Sequence, residues 1–219
     1  MKRTVLTTGV VLLLAASLSG CSPFPNKGDS SPPVTYLLQW RPPSTEQGGG
    51  AQGRCGTLLI SAPRSAPGFD TARMAYVRQN YRIDYFAHHR WADDPARMLR
   101  PILVEALGFS GLFRSVTADR GAVDARLRMD TKLLRLQQVF GSGGSKVELS
   151  VRVTVVDNQS GRIVYAQLFD LNEPAPSANP YGGVVAANRA VAALMRELVA
   201  ALREHPLAAD ACPAGRTGR

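Results

Sequence analysis

The chain has 219 residues, enough for one domain or a tight pair of domains and no more. An apolar share of 45% is that of a globular protein and excludes a low-complexity chain. The formal charge of +9 falls to +7 if Lys2 and Arg3 leave with an N-terminal leader; a moderately basic surface allows contact with anionic partners without requiring it.

Residues Met1 to Gly20 read as that leader. Lys2 and Arg3 form a charged start, and Val5 to Ala16 is an apolar middle too short to span a membrane. Leu18-Ser19-Gly20-Cys21 resembles a bacterial lipobox: small residues suit a peptidase groove, and the Cys21 thiol can accept a diacylglyceryl group. The competing reading is an ordinary signal peptide that contains a cysteine. Ser22 stands where an Asp commonly holds lipoproteins at the inner membrane of enterobacteria, so sorting to the outer membrane is favoured over retention. Residues 21–34 are rich in Pro, Ser and Gly and read as a tether.

The folded part is expected over residues 35–205, with 206–219 as a loose tail. Thr35–Trp40 predicts a first strand and Cys55–Ala62 a second, with the Gly48–Gly50 loop between them. Arg73–Gln79 and Tyr81–Ala87 are aromatic-rich extended runs separated by Asn80. A helix follows, capped by Asp93 or Asp94 and started by Pro95. Met98, Leu99, Ile102, Leu103, Ala106 and Leu107 form its apolar face; Pro101 predicts a kink or restart, and Gly108 with Gly111 a stop. Leu112–Thr117 is a short strand. Asp124–Phe140 alternates, with Ala125, Leu127, Met129, Thr131 and Leu133 on one side and a slip at Leu133-Leu134 that predicts a bulge. Lys146–Asp157 and Arg162–Leu171 complete a meander through the loops 141–145 and 158–161. After a Pro-rich loop, Val184–Glu204 is an Ala-rich helix whose polar residues, Asn188 and Arg189 among them, rule out a membrane span. The fold class is α+β: a mainly antiparallel sheet with two helices packed on one face.

The stretch from Phe69 to Phe113 carries a resemblance. A tyrosine-bearing strand (Met74, Ala75, Tyr76) leads to a second aromatic strand (Tyr81, Tyr85, Phe86). An Arg90-Trp91 pair precedes a Pro-started helix with Met98-Leu99, and the helix ends in Ser110-Gly111-Leu112-Phe113. This ordered set resembles the ABC-type transport auxiliary lipoproteins, from about Tyr36 to about Leu202. The resemblance implies a non-catalytic docking component at the periplasmic face of the outer membrane, held by its acyl anchor. Its partner would be the mammalian-cell-entry (MCE) subunit of an ABC transporter that moves lipid. Assembly as a homo-oligomer stays open, as do two other classes, a periplasmic lipid-binding carrier and a structural envelope lipoprotein.

Residue chemistry points the same way. His88 and His89 are adjacent and would face opposite sides of a strand, His205 is remote, and no HExxH or CxxC is present. Gly141–Ser145 lacks the Lys and Ser/Thr of a phosphate loop. No catalytic residue, metal ligand or cofactor is therefore expected, and export removes the chain from cytoplasmic nucleic acid. Cys55 and Cys212 remain once Cys21 is acylated and could pair in an oxidising compartment. Arg126, Arg128, Lys132, Lys146 and Arg152 could form a basic stripe for anionic lipid or an acidic partner; an ordinary solvated face is the alternative. Tyr76, Tyr81, Tyr85, Phe86 and Trp91 are expected to pack in the core and on the sheet.

Overall fold

The computed structural model describes residues 32–43, 53, 55–119, 125–205, 207 and 212. The leader, Cys21, Ser22, the tether up to Ser31, the Gly48–Gly50 loop and most of the tail lie outside the described residues.

One strand organises the rest. The alternation after Ala125 becomes β7, Leu127–Gly141, whose inward residues Leu127, Met129 and Leu133 are fully buried. It pairs antiparallel with β8, Gly144–Asp157, from Leu127↔Asp157 to Gly141↔Gly144, with the expected irregularity between Leu133 and Arg135. The hairpin tip is only two residues long, and Gly144 takes a positive φ of 129° there. β9, Ile163–Pro174, continues the meander on the far side of β8.

The other edge of β7 receives three short strands in succession, all parallel to it. β2, Cys55–Ile60, sits at Leu127–Met129; β3, Arg64–Ser65, at Lys132–Leu133; β4, Arg73–Gln79, at Gln137–Val139. They behave as one long strand interrupted by Pro63 and Pro67, which have no N–H to give to a ladder. β6, Phe113–Thr117, runs parallel to β2; β5, Arg82–Trp91, pairs antiparallel with β4; β1, Val34–Tyr36, runs parallel to β5. The fold is α+β as expected, and the sheet is mixed: the β7–β8–β9 ladders and β4–β5 are antiparallel, and the remaining short ladders are parallel. β1 ends at Tyr36, four residues before the expected end, and Leu37–Trp40 continues as irregular chain.

Helix α1, Pro95–Phe109, is capped by Asp94, whose carboxylate accepts from Ala96 N at 2.8 Å. Pro101 does not restart it. The proline is exposed, so its ring and missing N–H fall on the solvent side of a continuous helix. Helix α2 spans Pro180–Glu204 and begins four residues before the expected Val184. Asn179 accepts from Gly182 N at 2.8 Å and Pro180 occupies the first turn, so the end of the Pro-rich segment is a helix start.

Both helices cover the same face of the sheet, α1 over β2, β3, β6 and β7, α2 over β8 and β9. Leu99, Leu103 and Leu107 of α1 and Val191, Leu194 and Leu198 of α2 meet Leu149, Val151 and Val153 in one buried cluster. Each such side chain stabilises the fold by about 1.5–3 kcal/mol relative to exposure. The opposite face of the sheet carries no helix among the described residues.

Candidate functional site

On the open face, the five cations of the expected stripe divide. Arg126 precedes β7 and turns to Asp157, its Nε and Nη2 each donating at 2.9 Å to one carboxylate oxygen. Asp157 is nearly buried, and it also accepts from the N–H groups of Gln159 and Ser160. The Arg126 guanidinium, aided by those backbone donors and opposed by burial, holds the carboxyl down to about 2. Arg128 donates to Asp130, two residues along its own strand, and to Asn158. Lys146 reaches Glu148 at 2.9 Å and Asn172 at 2.9 Å. Burial pushes the Glu148 carboxyl up, but donors from Lys146, Arg135 and Gln137 outweigh it and leave it below its usual range.

Lys132 and Arg152 differ from these three. They stand directly opposite each other in the β7–β8 ladder, both exposed, and form no ion pair among the described residues. Arg64 of β3 lies opposite Lys132 on the other side, also exposed and without an ion pair among the described residues. Arg64 is not part of the expected stripe. Only the parallel pairing of a two-residue strand places it there, and no local pattern announces that pairing.

The aromatics form a different feature. Trp91 is buried in the core. Tyr76 packs on Phe86 with ring centroids 4.5 Å apart, and Phe140 closes on Tyr76 edge-on at 5.9 Å. Arg78 lies over the Phe140 ring at 4.4 Å. Phe86 touches His89, which stacks on Tyr36 and shares a 3.1 Å hydrogen bond between its Nδ1 and the Tyr36 hydroxyl. Tyr85 donates its hydroxyl to Gly68 O at 2.8 Å under the Arg73 guanidinium. Tyr81 corrects the expectation of packing: it is fully exposed at the β4–β5 turn, with a φ of 68° unusual for a tyrosine. His88 points away from His89, and among the described residues no three His, Cys, Asp or Glu side chains are placed to hold a metal.

Two spaces bear on ligand binding. Between the sheet and the start of α2, beside Met74, Trp91, Gln138 and Gly183, only about 10 Å³ is open, too little for a ligand. A groove of about 400 Å³ lies outside the core between the C-terminal parts of α1 and α2. Trp40 meets Phe109 edge-on there, and Arg196 and Arg203 stand on its rim. The segment that delivers Trp40 is held by Asn188 of α2, which the sequence pattern marks only as a polar interruption.

Cys55 opens β2 and is bonded to Cys212, with their Cα atoms 3.9 Å apart. The bond ties the described part of the tail to the β2 end of the sheet and closes a loop across 157 positions of sequence.

A family model described as ABC-type transport auxiliary lipoprotein component matches residues 36–199. The uncharacterized protein bll6063 of Bradyrhizobium diazoefficiens is 24% identical over 184 residues, which cover 83% of this chain and 48% of that protein. The chain thus spans about half the length of that relative. The crystal structure of protein XCC0632 from Xanthomonas campestris is similar with a TM-score of 0.63 at 18% identity, over 76% of this chain and 92% of that one. A second crystal structure, of an uncharacterized protein, has a TM-score of 0.61 at 11% identity, over 78% of this chain and 99% of the other. At these identities the structural likeness speaks for the fold alone.

Proposed function

The chain belongs to the family of ABC-type transport auxiliary lipoprotein components, and from that premise we propose that it acts as a non-catalytic docking component of an MCE-type ABC transporter. Acyl chains on Cys21 would hold it at the periplasmic face of the outer membrane, and the folded domain would receive the periplasmic end of the MCE assembly. The observation that carries this reading is the extent of the family match, from the last residue of β1 into α2. The match covers the folded domain, so the auxiliary role belongs to that domain and not to the leader or tether alone.

Membership places the protein in the envelope on a lipid anchor, and among the described residues no helix is long and apolar enough to cross a membrane. A lipid-carrying role is the second reading, and the groove beside Trp40 and Phe109 is what favours it. Against it, the space between the sheet and the start of α2 is only about 10 Å³.

Gene deletions separate these readings. Loss of this protein, loss of the MCE-bearing transporter and loss of both should give one and the same envelope-permeability defect. Additive defects would place the protein in another pathway and favour a structural lipoprotein. Cys21→Ala at normal abundance should fail to restore the barrier. Full rescue by an unacylated protein would make the anchor incidental and move the carrier forward.

A further inference from the structure

We propose that the open face of the sheet lies on a bilayer surface and binds anionic phospholipid headgroups through Arg64, Lys132 and Arg152. The inference rests on the reading of the chain as a membrane-anchored lipoprotein.

The geometry begins with register. Arg64 pairs with Lys132, and Lys132 with Arg152, so the three cations form one row straight across β3, β7 and β8. Neighbouring strands lie about 4.8 Å apart, which puts the three within roughly 10 Å. Like charges directly opposite each other in a sheet destabilise it. A fold that needed no partner here would pair these cations with carboxylates, as it does elsewhere on this face. Arg128 has Asp130, and Arg135 and Lys146 share Glu148. Asp170 stands one row to one side, opposite Ser150, and Asp130 one row to the other, opposite Thr154; Asp130 is taken by Arg128, and neither forms an ion pair with the three among the described residues. The row is therefore left for charge from outside.

What adjoins the row points to lipid. Across β8 from Arg152 stands Leu168 of the edge strand β9, 42% exposed, and on the same strand Ile163 is 65% exposed. Ala166, also exposed, lies between them. Cations beside an aliphatic edge on an open sheet face match a headgroup layer, where phosphates meet the charges and aliphatic side chains enter the interface. A protein hot spot would instead present aromatic anchors and pockets; the aromatic of this face, Tyr85, is tied down by its hydroxyl to Gly68 O, outside the row.

The test uses the full, acylated chain in phosphatidylcholine vesicles with and without phosphatidylglycerol. A polarity-sensitive fluorophore is attached through Ala166→Cys, and in a control through Arg189→Cys on the exposed side of α2. Phosphatidylglycerol should shift the Ala166 label to the blue and leave the control unmoved, and high salt should reverse the shift. Arg64→Gln, Lys132→Gln and Arg152→Gln combined should abolish it. Each cation near an anionic surface contributes about fivefold to binding, so three together contribute on the order of a hundredfold. The triple variant should melt no lower than the parent, because it relieves repulsion. Equal emission in both vesicle types, or a shift that survives the triple substitution, would overturn the proposal. A shift seen only on adding detergent-solubilised MCE subunit would overturn it in favour of a protein partner and leave the docking role standing.

Discussion

Asn188 acts on Gln39 as a strand neighbour would. Its Oδ1 accepts from the Gln39 N–H at 2.6 Å, while its Nδ2 donates to Leu37 O at 3.3 Å and to Val184 O at 3.0 Å. One side-chain amide thus satisfies the chain where β1 has ended and fixes the approach of Trp40 to Phe109. Asn188→Ala should cost about 1–2 kcal/mol, the range for losing a pair of partly exposed hydrogen bonds. Hydrogen exchange of the Gln39 amide should accelerate with it. Unchanged protection at Gln39 would mean that the segment is held by the burial of Leu38 alone.

Gly182 and Gly183 should respond differently to alanine. A Cβ on Gly182 would lie 2.1 Å from the backbone oxygen of Ser177, whereas on Gly183 it would meet the Gln138 side-chain oxygen at 2.4 Å. The buried Gln138 side chain can yield by giving up its bonds to Ser145 Oγ and Asn179 O, whereas a backbone oxygen cannot yield. Gly182→Ala should therefore destabilise by about 1–3 kcal/mol. Gly183→Ala should cost less, because the neighbour that must give is a side chain and the alanine gains some helix propensity. Equilibrium unfolding of the two variants checks the order; equal losses would contradict it.

Asp157 makes stability depend on acid. Its folded-state value of about 2 lies below the ordinary 3.8. Its contribution is complete above about pH 4 and is lost as the pH falls towards 2. Asp157→Asn should flatten the unfolding midpoint over that window and leave the profile above pH 5 parallel to the parent's. An unchanged acid slope would assign the effect to other carboxylates.

The mature protein, unfolded without reductant, should show no reactive thiol, because Cys55 and Cys212 are bonded and the proposed acylation would occupy the Cys21 thiol. Cys212→Ser should cost roughly 2–5 kcal/mol, given the length of the loop the bond closes. Two thiols per chain on titration would contradict the pairing.

Where neighbours in sequence are neighbours in space, the chain discloses its structure. The inward row of β7, the bulge after Leu133, the meander through β8 and β9 and the apolar face of α1 follow from period and turn chemistry. Long-range pairing is different. Nothing local to Arg64-Ser65 says that it lies along β7, so the cationic row could be read only in part: Lys132 and Arg152 were visible, and Arg64 was not. The same limit hides the Arg126–Asp157 pair, which only the folded ladder brings together, whereas Asp130 and Glu148 stand two residues from Arg128 and Lys146 on the same strand face, where the alternation already puts them. Asn188 in a helix pattern reads as an interruption until the Leu37–Gln39 segment is in place.

Docking can be read most directly by isolating the tagged, acylated protein from detergent-solubilised envelopes and quantifying what accompanies it by mass spectrometry. The account predicts that the MCE-domain subunit of an ABC transporter is enriched, and that the enrichment falls when the anchor is lost through Cys21→Ala. Enrichment of peptidoglycan-binding or envelope-assembly proteins, with no transporter subunit above background, would contradict it.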